Sequence, residues 1–248
     1  MAQRPSPAPG GGPYLSVVIP AFNEEGRIGA TLQAVGARLD RAPYEFEIVV
    51  VNDGSRDRTA EAARAARPDV RLLTNEINRG KGYTVRRGVA EARGQIILFS
   101  DADLSTPIEK IDNFLPRLEA GADIVIGSRA LPESRIERRQ NIVREMAGRT
   151  FNRLLRFLVS VPFRDTQCGF KAFGRAAARQ VFARQRIEGW GFDAELMVIA
   201  RRLGLRVEEV PVRWVNSPDS RLRIWRDAPR MLLDLLRIRW NDLRGRYR

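Results

Sequence analysis

Asp101 and Asp103 stand one residue apart at the end of the apolar run Ile96-Ile97-Leu98-Phe99. A short apolar run bounded by polar residues reads as a strand buried on both faces, as in a parallel sheet covered by helices. Ligands of such sheets bind in the crevice beyond the carboxyl ends of the strands. Two carboxylates this close repel each other, and a hard divalent cation with oxygen ligands relieves the repulsion. Mg²⁺ or Mn²⁺ held in this way keeps several waters and completes its shell with substrate phosphate oxygens. An isolated Asp-x-Asp also reads as a solvated acidic turn, so the rest of the chain has to decide between the two.

Other polar groups close apolar runs in the same manner. Asn23 and Glu24 follow Leu15–Pro20, and Asp53 follows Phe46–Val51. A carboxylate at the second strand's end can accept hydrogen bonds from a base or ribose. Gly80-Lys81-Gly82 precedes a helical stretch, where glycines permit close backbone approach and Lys81 can meet a phosphate. The spacing is not that of a Walker loop. Each residue alone has a local reading too: Asn23 or Asn52 in an Asx turn, Asp53-Gly54 in a tight turn, Asp57 and Thr59 as helix caps. Their joint arrival at one sheet edge is what favours a site.

The elements that must position these groups alternate. Strands are expected at Tyr14–Pro20 (ended by its proline), Phe46–Val51, Val70–Thr74, Ile96–Phe99 and Asp123–Gly127. Helices are expected over Gly26–Leu39, Thr59–Ala66 and Tyr83–Ala92. Strand and helix in alternation specify an α/β protein with a doubly wound, mostly parallel sheet and helices on both faces.

The chain has 248 residues, a single Cys168 and no His, with 43 Lys+Arg against 30 Asp+Glu. A zinc site of Cys and His, a His-based triad and a His general base are excluded. Cys168, lacking a His partner, reads as a small buried residue. The net charge of +13 favours polyanionic partners. A nucleic-acid-binding module would account for the charge, but it leaves the carboxylate-ended strands without a role and shows no recognisable binding motif. Nucleic acid is therefore not the expected partner. A purely structural membrane-surface protein also leaves Asp101 and Asp103 unused.

Several motifs carry a family resemblance. Val17-Val18-Ile19-Pro20-Ala21-Phe22-Asn23-Glu24-Glu25, Val51-Asn52-Asp53-Gly54-Ser55, Asn78-Arg79-Gly80-Lys81-Gly82 and Asp101-Ala102-Asp103-Leu104-Ser105 resemble family 2 glycosyltransferases of the GT-A fold. Gly127-Ser128-Arg129, Asp165-Thr166-Gln167-Cys168-Gly169-Phe170-Lys171, Trp190-Gly191-Phe192-Asp193-Ala194-Glu195 and Asp219-Ser220-Arg221-Leu222 sharpen the likeness toward the polyprenyl-phosphate sugar synthases, the dolichyl-phosphate glucosyltransferase branch above the mannosyl one. The resemblance spans about residues 14 to 245. It implies that Pro20, Ala21, Phe22, Glu24, Asp53, Asp101 and Ala102 contact the donor nucleotide, and that Asp101 and Asp103 hold the metal on its diphosphate. Lys81 and Arg221 would attend the leaving UDP. Ser105 stands where mannosyl members often carry Gln. Relatives show Gly-Ser-Lys where this chain has Asp219-Ser220-Arg221, and eukaryotic relatives carry an N-terminal membrane anchor.

A transferase with a hydroxyl acceptor needs a base, and without His that base would be Asp193 or Glu195. A lipid phosphate is already anionic and needs cations instead. Arg129 and Arg144 are the candidates, while Arg135, Arg138 and Arg139 read as solvated surface. The expected reaction is inverting transfer of a hexose, glucose from UDP-glucose being favoured, to a polyprenyl phosphate. GDP-mannose as donor or a soluble hydroxyl as acceptor are the alternatives.

No run of eighteen apolar residues exists, so no transmembrane helix is expected. Residues 142–161 and Pro229–Asp242 place apolar residues at helical spacing among arginines, a pattern of helices that lie on an anionic membrane. Packing on the core is the other reading of such a helix. The organisation expected is a flexible tail at 1–13, a GT-A domain at 14–225 and a basic amphipathic helix at 226–248, peripheral on the cytoplasmic face of a membrane. The sequence sets no oligomeric state.

Overall fold

The computed structural model describes residues 12–138, 161–215 and 224–248, together with Leu155, Leu158 and Val159. Its centre is a seven-stranded sheet in the order β3-β2-β1-β4-β7-β5-β8. The strands are β1 (Leu15–Ala21), β2 (Phe46–Asn52), β3 (Arg71–Thr74), β4 (Ile96–Ser100), β5 (Ile124–Ser128), β7 (Phe170–Gly174) and β8 (Val207–Pro211). A separate pair, β6 (Arg135–Arg138) and β9 (Arg213–Val215), runs parallel beside it. Helices α1 (Ile28–Leu39), α2 (Thr59–Ala66), α3 (Lys81–Glu91), α4 (Leu115–Glu119), α5 (Arg175–Arg184), α6 (Phe192–Arg202) and α7 (Ile224–Leu243) complete the described fold.

The Val- and Ile-rich strands are buried along nearly their whole length because both faces are covered. On one face Leu15, Val17, Ile19, Val50 and Leu98 meet α1, whose Ile28, Leu32, Val35 and Leu39 line a single stripe. On the other, Val18, Val49, Ile97 and Phe99 meet α3, α5 and α6. Two local contacts shape the turn before α2: Ser55 N–H donates to Asn52 Oδ1, and Thr59 N–H to Asp57 Oδ1.

Pro20 does not end β1, which pairs with β2 as far as Ala21 opposite Asn52. The partner on the other side, β4, is registered only against Leu15 to Val18, so no neighbour there asks Pro20 for an N–H. Helix α3 begins at Lys81, two residues before the sequence suggests, which puts the lysine on its first turn.

β7 is the exception to parallel order: it is antiparallel to both β4 and β5, with Phe170 opposite Ser100. An antiparallel strand starts where its neighbours end. The Asp165–Lys171 block therefore arrives at the same carboxyl edge as Asp101.

The two amphipathic segments separate. Leu155 and Val159 are fully buried in the core, with Leu158 packed against it, so this face of the 142–161 segment lies on the protein and not on a membrane. The remainder of that segment, Arg144 included, lies outside the described residues. α7 starts five residues before Pro229 and is sided differently: Met231, Leu235 and Ile238 pack inward, while Leu232, Leu233, Leu236, Trp240 and Leu243 are exposed. Among the described residues no helix is long and apolar enough to cross a membrane.

Candidate active site

The turn after β4 carries the acidic pair. Leu104 N–H bonds back to the Asp101 carbonyl at 3.2 Å, and Leu104 adopts φ +45°, a left-handed conformation costly for a branched-chain residue. Asp103 Oδ1 accepts the Ser105 N–H at 2.9 Å, which fixes its side chain in the turn. Thr31 Oγ1 donates to the Ala102 carbonyl, tying the turn to α1. Asp101 is backed by Gly169, whose carbonyl accepts the Asp101 N–H; a Cβ on Gly169 would lie 1.9 Å from Asp101 Oδ2. The glycine of the 165–171 block is thus required by the carboxylate that faces it.

Lys81 reaches the same carboxylate, with Nζ 2.6 Å from Asp101 Oδ1. Its ammonium is ringed by Trp190 at 5.3 Å, Phe99 at 5.7 Å and Phe192 at 5.9 Å from the ring centres. Burial works against its charge, but Asp101, Asp193 and Asp103 prevail and raise its pKa above the ordinary lysine value.

Asp53 holds the loop that delivers Lys81. Its carboxylate accepts from Asn75 Nδ2 at 2.7 Å and from the N–H groups of Arg79 and Gly80 at 2.9 Å each. Gly80 sits at φ +99°, and a Cβ there would meet the Glu188 carbonyl at 2.6 Å. Only glycine suits both the conformation and the contact. Beside it, the loops after β1 and β2 are laced together: Asn23 N–H donates to Ser55 Oγ, Arg56 N–H to Asn23 Oδ1 and Glu24 N–H to Thr59 Oγ1. Pro20, Ala21 and Phe22 lie on this rim, and Glu24 pairs with Arg27 at 2.5 Å.

Two further ion pairs underlie the edge. Arg129 grips Asp165 through Nε at 2.7 Å and Nη2 at 2.9 Å and stacks 5.6 Å over Trp214. Burial pushes the Asp165 carboxyl up, yet the Arg129 guanidinium wins and holds it at about 2. Beneath the site, Lys171 is fully buried, bonded to Asp193 and, at 2.6 Å, to the Cys168 carbonyl. Burial raises the Asp193 carboxyl, opposed first by Lys171.

Asp193 and Glu195, the candidates for a base toward a hydroxyl acceptor, are both buried and engaged. Asp193 is 3% exposed and engaged by Lys171. Glu195 is fully buried, accepting from Tyr247 Oη at 2.7 Å and from the N–H groups of Arg186 and Ile187. Both anchor structure. Cys168 is buried, and desolvation followed by the nearby Asp165 charge pushes its thiol up to about 11, so it is no nucleophile. Arg221 lies outside the described residues.

Asp165 and Gly169 are residues to which sequence reasoning assigned no role in building the site. The only signal was their place in one compact block, because their partners lie far along the chain.

The Asp101–Asp103 turn suits a divalent ion: two carboxylates stand at the open edge, Asp101 carrying one cation already in Lys81, and Asp103 Oδ2 is not used in the turn. Among the described residues no group of three or more His, Cys, Asp or Glu side chains is poised to hold a metal, so the remaining ligands would come from substrate and water.

Comparison with known proteins agrees with this geometry. The sequence profile of glycosyl transferase family 2 matches residues 16–182. A dolichyl-phosphate beta-glucosyltransferase of Trichomonas vaginalis is 38% identical over 238 residues, covering 91% of this chain and 70% of that protein. The human dolichyl-phosphate beta-glucosyltransferase is 36% identical over 250 residues, 94% of this chain and 77% of the relative. Glucosyl-3-phosphoglycerate synthase of Mycobacterium tuberculosis superimposes with a TM-score of 0.68 at 23% identity, over 92% of this chain and 81% of that one. The same enzyme solved with Mn²⁺, UDP-glucose and phosphoglyceric acid gives 0.66 at 22%, over 96% and 86%. These neighbours share the GT-A fold described above. With a profile match across most of its length and relatives this similar, the chain belongs to glycosyl transferase family 2.

Proposed function

We propose that the protein transfers glucose from UDP-glucose to a polyprenyl phosphate of the dolichol type, with inversion at the anomeric carbon. The observation that carries this reading is the engagement of Asp193 and Glu195 in buried structural contacts, beside an open Asp101–Asp103 turn. A hydroxyl acceptor would need a free base; an acceptor phosphate brings its own anionic oxygen. The relatives' names support glucose as the sugar and dolichyl phosphate as the acceptor, and UDP-glucose is the ligand with which a structural neighbour was solved.

In the reaction the acceptor phosphate oxygen attacks the anomeric carbon as the bond to UDP breaks, and UDP leaves with the electron pair. Asp101 and Asp103 would hold Mg²⁺ or Mn²⁺, which when bound neutralises charge on the leaving diphosphate. Pro20, Ala21, Phe22, Glu24 and Ala102 form the rim on which the nucleotide would lie, and Asp53 fixes the loop behind it. Lys81 adds a second positive charge at the diphosphate. Arg129 spends Nε and Nη2 on Asp165, which leaves Nη1 to orient the acceptor phosphate. Arg144 and Arg221 complete the proposed set of cations.

The outer face of α7 gives the enzyme a place to meet a lipid-linked acceptor. Leu233, Trp240 and Leu243 are 55%, 54% and 63% exposed, with Arg230, Arg237 and Arg244 among them. We read this face as peripheral attachment to an anionic membrane, on its cytoplasmic side.

The test is transfer of labelled sugar to a short polyprenyl phosphate in detergent. UDP-glucose, UDP-galactose, UDP-GlcNAc and GDP-mannose are compared with Mg²⁺, Mn²⁺ or EDTA. Metal-dependent product from UDP-glucose alone is expected. Product from GDP-mannose instead overturns the donor, and failure with every donor despite nucleotide binding overturns the lipid-phosphate acceptor.

A further inference from the structure

Asp101 has one oxygen to offer a ligand, and it is occupied. Its Oδ2 is pressed against the Gly169 backbone, at a distance where even a methyl group would collide. Its Oδ1 is 2.6 Å from Lys81 Nζ. The lysine's stem rises from the first turn of α3, which Asp53 and the Glu188 carbonyl hold in place, so its backbone is fixed while its four-carbon side chain can swing. Trp190, Phe99 and Phe192 surround the ammonium and favour its charge without binding it to one partner.

We propose that Lys81 is a resident counter-ion that occupies the ligand-facing oxygen of Asp101 in the free protein and releases it to a divalent cation only when a nucleoside diphosphate is present to receive the ammonium. The proposal rests on the reading of Asp101 and Asp103 as the metal–diphosphate site and adds an order to it. Two cations cannot share one carboxylate oxygen without strong repulsion. Displacing Lys81 by metal alone would leave an ammonium, 14% exposed, whose remaining carboxylate neighbours are already taken, Asp193 by Lys171 and Asp103 by the metal. A diphosphate supplies that anion at the moment the oxygen is vacated. Metal and nucleotide must then strengthen each other's binding, and by reciprocity each does so by the same factor. The consequence for function is that free divalent ions do not load the site ahead of the donor.

The experiment measures Mn²⁺ binding directly, by electron paramagnetic resonance of the free ion, on wild-type protein and on Lys81→Met with and without UDP. Methionine keeps the apolar stem among the three rings; Lys81→Gln is the second variant, and thermal melting checks that both fold. Without UDP, Lys81→Met is expected to bind Mn²⁺ about tenfold tighter than wild type, equivalent to about 1.4 kcal/mol. UDP should raise Mn²⁺ affinity about tenfold more in wild type than in either variant. The proposal is overturned if both folded variants bind Mn²⁺ no tighter than wild type in the absence of UDP. Asp101→Asn separates this from the site reading itself. If that change leaves Mn²⁺ binding intact with UDP present, the metal lies elsewhere and the underlying reading falls. Asp101-dependent binding without the Lys81 effect sinks the exchange alone.

Discussion

The carboxyl edge of the sheet is built in two different ways. Around β1 and β2 the loops hold one another through many single hydrogen bonds between short side chains and backbone, as between Asn23, Ser55, Arg56 and Thr59. Around β4, β5 and β7 three cation–carboxylate pairs do the same work: Lys81–Asp101, Arg129–Asp165 and Lys171–Asp193. The hydrogen bonds are worth about 1 kcal/mol each and are replaceable by water. Lys171–Asp193 is dry and Asp165 is nearly so, and losing one partner there strands the other, while Asp101 keeps some contact with solvent. The nucleotide side is therefore robust and distributed, while the side that would hold the diphosphate and acceptor is concentrated and brittle. Placing charge where charge is transferred makes that brittleness a requirement of the chemistry.

The largest effect should come from Lys171→Met. It leaves Asp193 buried without its cation, and breaking such a pair costs about 3–5 kcal/mol. Urea unfolding should show a loss of that size. A loss below 1 kcal/mol would mean that the pair is not what supports this side.

Next is Gly169→Ala, which tests the same region without removing a charge. The added methyl would lie 2.3 Å from the Asp101 carboxyl carbon, so Asp101 has to turn away from the site. Metal-dependent transfer should fall at least about a hundredfold, comparable to deleting one electrostatic contact to the transition state. Stability should change much less, because Asp101 is partly solvated. Unchanged transfer would show that Asp101 has room to move and still serve.

These two residues also mark where the sequence was legible. The apolar runs before Pro20, Asn52 and Ser100 each end in polar turns, so the alternation of strands and helices and the edge they share can be read directly. Asp101 and Asp103 follow from that alone. β7 is read less readily, since Phe170-Lys171-Ala172-Phe173 puts a lysine among four buried positions. Its partner Asp193 is 22 positions away, and Arg129 is 36 from Asp165, separations that no periodicity encodes. α7 is illegible for another reason. It is apolar on two sides, and only the packing of Met231, Leu235 and Ile238 tells the inner face from the outer.

A smaller effect is expected from acid. Asp165 is held at about 2 against a reference value of 3.8. A depressed carboxylate contributes stability above its unfolded pKa and loses it as pH falls through the folded one. Roughly 2 kcal/mol should therefore disappear between about pH 4 and pH 2. Comparing wild type with Asp165→Asn isolates it: the stability gap between them should be wide at pH 5 and shrink by that amount at pH 2. A gap independent of pH would show that Asp165 stabilises by hydrogen bonding alone.

The smallest effect belongs to the distributed side, and it is the one that could break the comparison. Ser55 Oγ accepts the Asn23 N–H at 2.9 Å, and Ser55 is only half-buried. In Ser55→Ala the amide loses one partner, but solvent can take its place. Arg56 N–H to Asn23 Oδ1 and Glu24 N–H to Thr59 Oγ1 still join the two loops. The loss should be about 1 kcal/mol or less, with UDP affinity within roughly threefold of wild type, an energy difference of about 0.7 kcal/mol. Asn23 itself sits at φ +56°, which Asn tolerates better than most residues, so the turn does not depend on Ser55 to enforce a strained backbone. Should Ser55→Ala cost 3 kcal/mol or more, comparable to a broken buried ion pair, the lacing would act as one cooperative unit. The two halves of the edge would then be equally brittle, and the contrast between them would lie in the kind of bond rather than in how load is shared.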